Sequence, residues 1–387
     1  MSRASEPIRA LMLNYEFPPV GGGTGAACQQ LLEAFAERSD ARFDLVTSGP
    51  GDHPTVEHAY GGTTIHRLPV GKRNPDFWRS TELLRWTWRA YGLAKRLIRD
   101  QGFDLCHCWA GWPPGLLGYA FRSSIPYLVS LRGSDVPGYS ERLAALDPLV
   151  FRRLSTMVWT EAGAVVAVSD SLRALALRTC PDLDVQVIPN AADTVRFIPG
   201  STVAPFTVLF VGRLIPRKRV EDLLTAFRDV LKRIPSARLV IAGDGPEGPR
   251  LESLAGTMAL GEAVRFTGHV PREALPDLYR GASVFVLPSE REGMPNAQLE
   301  AMASGLPVVT TVAAPALLDG NGVGVRVGHP SEISEALIRY GLDAALRHMH
   351  GRRSRELAES TTWSAVAEWY LGVYWSVIDR ARIDRTP

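Results

Sequence analysis

With 387 residues, the chain is too long for one typical domain and suits two. Its 45% hydrophobic and 22% charged residues fit a packed globular protein and not a disordered one. The formal net charge is only +2, and residues 1–193 carry 20 basic and 20 acidic side chains, so the basic footprint of a nucleic-acid binder is absent.

The first apolar run, at 8–13, reads as a strand; it soon meets Pro18-Pro19 and is no signal peptide. Gly21-Gly22-Gly23-Thr24-Gly25 follows, and then a helical pattern over 26–38. Glycines let a ligand approach the backbone, and a helix start offers N–H groups and the positive end of a dipole. The spacing is not the dinucleotide fingerprint, so an anion or a sugar is the expected guest, with a plain turn as the alternative.

Further strands are expected at 43–47, 64–67, 105–108, 127–131 and 165–168. Residues 67–99 hold nine basic side chains and two acidic ones, Asp76 and Glu82. On a helix, Arg85, Arg89, Arg96 and Arg99 share one face, and Leu84, Trp88, Tyr91 and Ile98 another. A basic face beside aromatics can make a peripheral contact with an anionic membrane. The plainer expectation is that the aromatic stripe is buried in the first domain. Cys106-His107-Cys108 reads as a buried strand end rather than a metal site. The four cysteines show no paired ligand spacing and suit a reducing cytoplasm. Asp182-Leu183-Asp184 spells D-x-D but precedes a strand, and no metal is expected. No window approaches the roughly 18 apolar residues of a membrane span.

The first series ends at Ile188-Pro189-Asn190. Pro199, Gly200 and Pro205 then mark a linker. A second series of strands is expected at 207–211, 238–242, 264–266, 284–287 and 308–310, with a helix at 220–233 and a closing helix, rich in Trp and Tyr, at 363–382. Strands alternating with helices give the α/β class: two doubly wound, Rossmann-like domains at 1–195 and 196–362, and a terminal helical segment at 363–387. Such sheets bind ligands beyond the carboxyl ends of their strands, and two of them facing each other form a cleft.

The second domain carries the sharpest motifs. Arg213 and Lys218 follow its first strand, where two cations suit a diphosphate, one as a fork and one as a point charge. In Glu292-Gly293-Met294-Pro295-Asn296-Ala297-Gln298-Leu299-Glu300, two carboxylates stand eight positions apart. Pro295 suits the first turn of a helix, and the amides there can meet a phosphate. The carboxylates have the wrong charge for phosphate, so each is expected to accept hydrogen bonds from a polyol.

Together these motifs resemble glycosyltransferase family 4, retaining enzymes of the GT-B fold, over nearly the whole chain. The resemblance rests on the loop at Gly21, Val166-Ala167-Val168-Ser169, Ile188-Pro189-Asn190, Gly212-Arg213 with Lys218, Ala242-Gly243-Asp244-Gly245-Pro246, Phe266-Thr267-Gly268-His269-Val270 and the Glu292/Glu300 pair. It implies transfer of a sugar, most simply a hexose, from a UDP- or GDP-linked donor to a glycan, lipid-linked or small-molecule acceptor. It further implies that Arg213 and Lys218 hold the donor diphosphate, Glu300 the ribose, and Glu292 the transferred sugar, with Gly293, Met294, Pro295 and Asn296 beside them. Gly243 and Val270 would flank the base, Gly22 and Gly23 would lie near the distal phosphate, and the terminal helix would return to the first domain. The implied acceptor lies on that domain. One position departs: the family's histidine before a glycine is replaced by Arg132 in Leu131-Arg132-Gly133-Ser134-Asp135. Arginine cannot be a base at neutral pH, but it can hold a phosphate or a hydroxyl, with Asp135 orienting it or touching the acceptor. A purely structural Arg132–Asp135 pair is the alternative. At the level of function, the alternative is a non-catalytic subunit of the same fold that binds a sugar nucleotide or a partner enzyme.

Overall fold

The computed structural model describes residues 6–74, 77–139, 150–200, 205–312, 314 and 316–383. Asp76 and residues 201–204 of the expected linker lie outside them. The chain divides into two compact units, Met1–Asn190 with Trp363–Pro387, and Ala191–Thr362.

The first unit is built on eight strands: β1 (Ile8–Leu13), β2 (Ala41–Gly49), β3 (Thr55–Ala59), β4 (Thr63–Pro69), β5 (Leu105–Cys108), β6 (Tyr127–Leu131), β7 (Ala164–Ala167) and β8 (Val185–Val187). Their order is β3-β4-β2-β1-β5-β6-β7-β8. Residues 10–13 of β1 are wholly buried, as a strand covered on both faces must be. The winding reverses between β1 and β5, which opens a crevice at the carboxyl ends of those strands. All ladders are parallel except the β3–β4 edge hairpin. β3 escapes the sequence reading because its side chains are mostly exposed and show no apolar alternation.

The closing helix, Trp363–Ile383, belongs to this unit and buries Tyr370 and Tyr374 in it. Tyr374 stacks on Phe35 and its hydroxyl lies 2.8 Å from His107 Nδ1. His107 Nε2 lies 2.7 Å from the Ser130 hydroxyl. Burial pushes the His107 pKa down to about 3, so the ring is neutral and its two nitrogens are spent on the core. Cys106 and Cys108 are buried beside it, in the strand end that the sequence implied.

The helix Ser80–Gln101 overturns the expected burial of its aromatic stripe. The buried face is Trp86, Ala90, Ala94 and Leu97, whereas Leu84 is 65% exposed, Trp88 76% and Tyr91 41%. Two apolar faces on opposite sides of this helix compete, and the one with small alanines allows the closer approach to the sheet.

The second unit has six parallel strands: β9 (Thr207–Val211), β10 (Arg238–Ala242), β11 (Val264–Gly268), β12 (Val284–Leu287), β13 (Val308–Thr310) and β14 (Gly322–Gly324), in the order β11-β10-β9-β12-β13-β14. Here the winding reverses between β9 and β12. β14 is too short and glycine-rich to read from sequence, and its glycine is steric: a Cβ on Gly322 would strike the Val308 carbonyl.

Candidate functional site

In the second unit the predicted residues gather at the carboxyl ends of β9 and β12, the switch point of the sheet. After β9 the chain makes a short 3-10 turn, Pro216–Lys218, and then places Arg219 in the left-handed region at φ 50° before the helix Val220–Arg233. That strained step is held by its own side chain, which pairs with Asp222 at 2.6 Å and Glu290 at 3.0 Å. The loop after β12 is stitched to the same turn. Glu290 N donates to the Arg217 carbonyl at 2.9 Å, and Arg217 donates to the Arg291 carbonyl at 3.2 Å. The Lys218 ammonium lies 2.6 Å from Glu292 Oε1, with side chains only 12% and 9% exposed. Burial pushes the Glu292 carboxyl up, but the Lys218 and Arg217 charges more than offset this, and it stays below its ordinary value.

Pro295 is the N-cap rather than part of the first turn, and the helix runs Asn296–Ala303. Glu300 therefore sits just over one turn in. Its Oε2 lies 2.9 Å from the Tyr279 hydroxyl. Burial raises the Glu300 pKa to about 7, against the lowering effect of that hydrogen bond. Gly293 and Pro295 are buried, and Met294 packs on the core. Arg213 is exposed at the strand end.

The glycines after β10 have a geometric cause. Leu214 N donates to the Asp244 carbonyl at 2.8 Å and Gly243 N to the Gly268 carbonyl at 2.9 Å, which brings three strand-end loops together and sets Val270 two residues beyond. Gly243 has φ +136°, and a Cβ there would fall on the Gly212 carbonyl. We expect Gly243→Ala to cost about 3 kcal/mol from strain and overlap, read as a lowered thermal midpoint. A midpoint equal to the parent's would show that these loops yield.

In the first unit, Gly22 is the N-cap of the helix Gly23–Ala36, with open space where its side chain would be. Trp109, just past β5, links this helix start to Arg132: its indole donates to the Thr24 carbonyl at 3.0 Å, and the Arg132 guanidinium lies 4.5 Å from its ring centroid. Arg132 also donates to Asn190 Oδ1 at 2.8 Å and meets the Tyr370 hydroxyl. The alternative, a structural side-chain pair with Asp135, does not form. Asp135 instead accepts from the amides of Gly111 at 2.6 Å, Arg132 at 3.0 Å and Gly133 at 2.7 Å, so it shapes the loop. Burial raises its carboxyl pKa, against those amides. Arg132 is thus a cation that forms no ion pair among the described residues. Trp109 and Tyr370 were missed by sequence reasoning, and Asn190 was noted without a role. Only Ile188-Pro189-Asn190 gave a local signal.

A separate cavity of about 360 Å³, lined by Arg280, Arg347, Arg352 and Arg355, lies at the amino ends of β12 and β13, away from these residues.

Comparison with known proteins identifies the family and the fold. The profile described as "Glycosyltransferase Family 4" matches residues 21–196, and that described as "Glycosyl transferases group 1" matches 205–343. The sucrose-phosphate synthase of Thermosynechococcus elongatus superposes with a TM-score of 0.82 at 23% identity, over 96% of this chain and 100% of that one. The fold is therefore GT-B, made of two Rossmann-like units. The D-inositol 3-phosphate glycosyltransferase of Acidothermus cellulolyticus is 31% identical over 96% of this chain and 90% of its own. That of Corynebacterium jeikeium is 36% identical over 70% and 72%. The chain belongs to the GT4-type glycosyltransferases.

Proposed function

We propose that the protein transfers a hexose, with retention at the anomeric carbon, from a nucleotide-diphosphate sugar to an acceptor hydroxyl. The observation that carries this reading is the contact of Lys218 with Glu292 at the β9/β12 switch point, with Arg213 at the same strand end and Glu300 on the helix that follows β12. Cations there meet the diphosphate and stabilise the charge that grows on it as it departs. Glu300 accepts from the ribose hydroxyls and Glu292 from the transferred sugar, while Gly293 to Asn296 line the approach. Gly243 and Val270 flank the base, and Gly22 and Gly23 lie near the distal phosphate. No metal is needed in this reading, because protein cations cover the leaving charge.

Arg132 and Asp135 are assigned to the acceptor. Asp135 fixes the loop, and Arg132, which has no carboxylate partner among the described residues, receives an anionic or hydroxylated group. Relatives at 31% and 36% identity are named for inositol 3-phosphate, which supports a phosphorylated polyol as the class of acceptor. The product would enter synthesis of a glycan, a glycolipid or a glycosylated metabolite.

The test is release of nucleoside diphosphate from UDP- and GDP-linked hexoses, with and without inositol phosphates. Acceptor-dependent release, and an anomeric proton coupling in the product that matches the donor's, is the expected result. Donor binding without release under any acceptor would favour the non-catalytic subunit, and inverted coupling would remove retention.

A further inference from the structure

The exposed face of the helix Ser80–Gln101 has no role in sugar transfer. Leu84, Trp88 and Tyr91 follow one another at helical spacing on it. Leu84 is 65% exposed and Trp88 76%. Single exposed apolar residues need no account, but a leucine and a tryptophan on successive turns form a contiguous patch. Tyr91 braces one end of it by stacking on Phe121, with ring centroids 5.1 Å apart.

Charge selects the partner. Several of the basic residues at 67–99 are spent internally. Arg67 pairs with Glu57 and Lys72 with Glu82, while Arg85 and Arg89 donate to the carbonyls of Val70 and Pro69. Lys95 and Arg96, one turn beyond the patch, are exposed and form no ion pair among the described residues. Arg99 follows on the same side and pairs with its neighbour Asp100. The patch thus has cations at its rim, and its acidic neighbour Glu82 is buried on the opposite side.

We infer that this helix docks the protein on an anionic lipid surface, with Trp88 and Leu84 entering the headgroup boundary and Lys95, Arg96 and Arg99 meeting lipid phosphates. A second copy of the chain is the poorer occupant, since a two-fold contact through this face would bring like charges together. No described helix is long and apolar enough to cross a membrane.

Co-sedimentation of the full chain with vesicles tests this, without a donor and so independently of the transfer reaction. Vesicles of phosphatidylcholine mixed with phosphatidylglycerol should bind the protein, and phosphatidylcholine alone should bind it far less. Added salt should weaken the contact. Leu84→Ala with Trp88→Ala should lower partitioning at least about tenfold. Lys95→Gln with Arg96→Gln should lower it about 25-fold, at roughly fivefold per cation. These side chains are on the surface, so circular dichroism and the thermal midpoint should hold. Equal binding to both vesicle types, or unchanged binding by both variants, overturns the inference. So does a failure to bind lipid coupled with a concentration-dependent dimer that Trp88→Ala abolishes, or with retention on an acidic protein.

Discussion

Lys218→Ala should lose about 100- to 1000-fold in turnover at saturating donor, the scale seen when one preorganised charge facing the developing anion is removed. It should also lose stability, because it strips the partner from a nearly buried carboxylate. Breaking a buried pair by removing one member costs about 3–5 kcal/mol. Arg217 and the adjoining solvent soften that figure. The two effects must be separated, and the geometry offers a way. Lys218→Met combined with Glu292→Gln removes both charges while keeping the volume, so its thermal midpoint should recover most of the loss, whereas its turnover should not recover at all. Since the Glu292 carboxyl is held below its ordinary 4.5, the pair stabilises the fold above that pH and loses its contribution as pH falls through the lowered value. A double variant that turns over donor at the parent rate would remove Lys218 and Glu292 from the chemistry. A stable Lys218→Ala would show that Glu292 finds another partner.

The residues that the sequence made legible share one property: each motif is a contiguous strand, turn and helix. Arg213 with Lys218, and Glu292 with Glu300, are each local, and sheet topology alone brings the two loops together. Their direct contact, Lys218 against Glu292, lay beyond sequence, because it depends on the left-handed turn at Arg219, a residue type that rarely takes that conformation. Arg132 was visible as a departure from a pattern, but its surroundings were not. Tyr370 reaches Arg132 from the far end of the chain, and Trp109 lies just past a strand end whose Cys-His-Cys reads simply as buried. The helix at 80–101 failed for another reason: Trp86 and Trp88, two positions apart, point to opposite sides, and both sides read as apolar. Alanines decided between them, and a hydrophobicity pattern gives alanine little weight against tryptophan.

Glu300→Gln should bind donor about 10- to 100-fold more weakly, yet melt higher. A hydrogen bond to a charged acceptor is worth about 1.5–3 kcal/mol, which sets the first figure. The second follows from burial. The carboxyl has a pKa of about 7 in the folded chain, above its ordinary 4.5, so the native state prefers it protonated. Above about pH 7 the folded protein holds a charge away from water that the unfolded chain solvates freely, and stability is lowered there. As pH falls toward 4.5 the native carboxyl takes up its proton first and the penalty disappears. Glutamine keeps the shape and still accepts from the Tyr279 hydroxyl, without the charge. Its gain should therefore be a few degrees in thermal midpoint at about pH 8 and shrink to nothing near pH 5. Donor affinity of the parent should show the mirror image, weakening as pH drops through 7 while the acceptor charge is lost. Calorimetric titration of nucleoside diphosphate against both proteins, beside paired melts at the two pH values, measures both effects. If glutamine lowers the midpoint at pH 8, the buried carboxylate is compensated by a contact that Tyr279 does not supply. If it leaves donor affinity unchanged, Glu300 serves the fold and the ribose is held elsewhere.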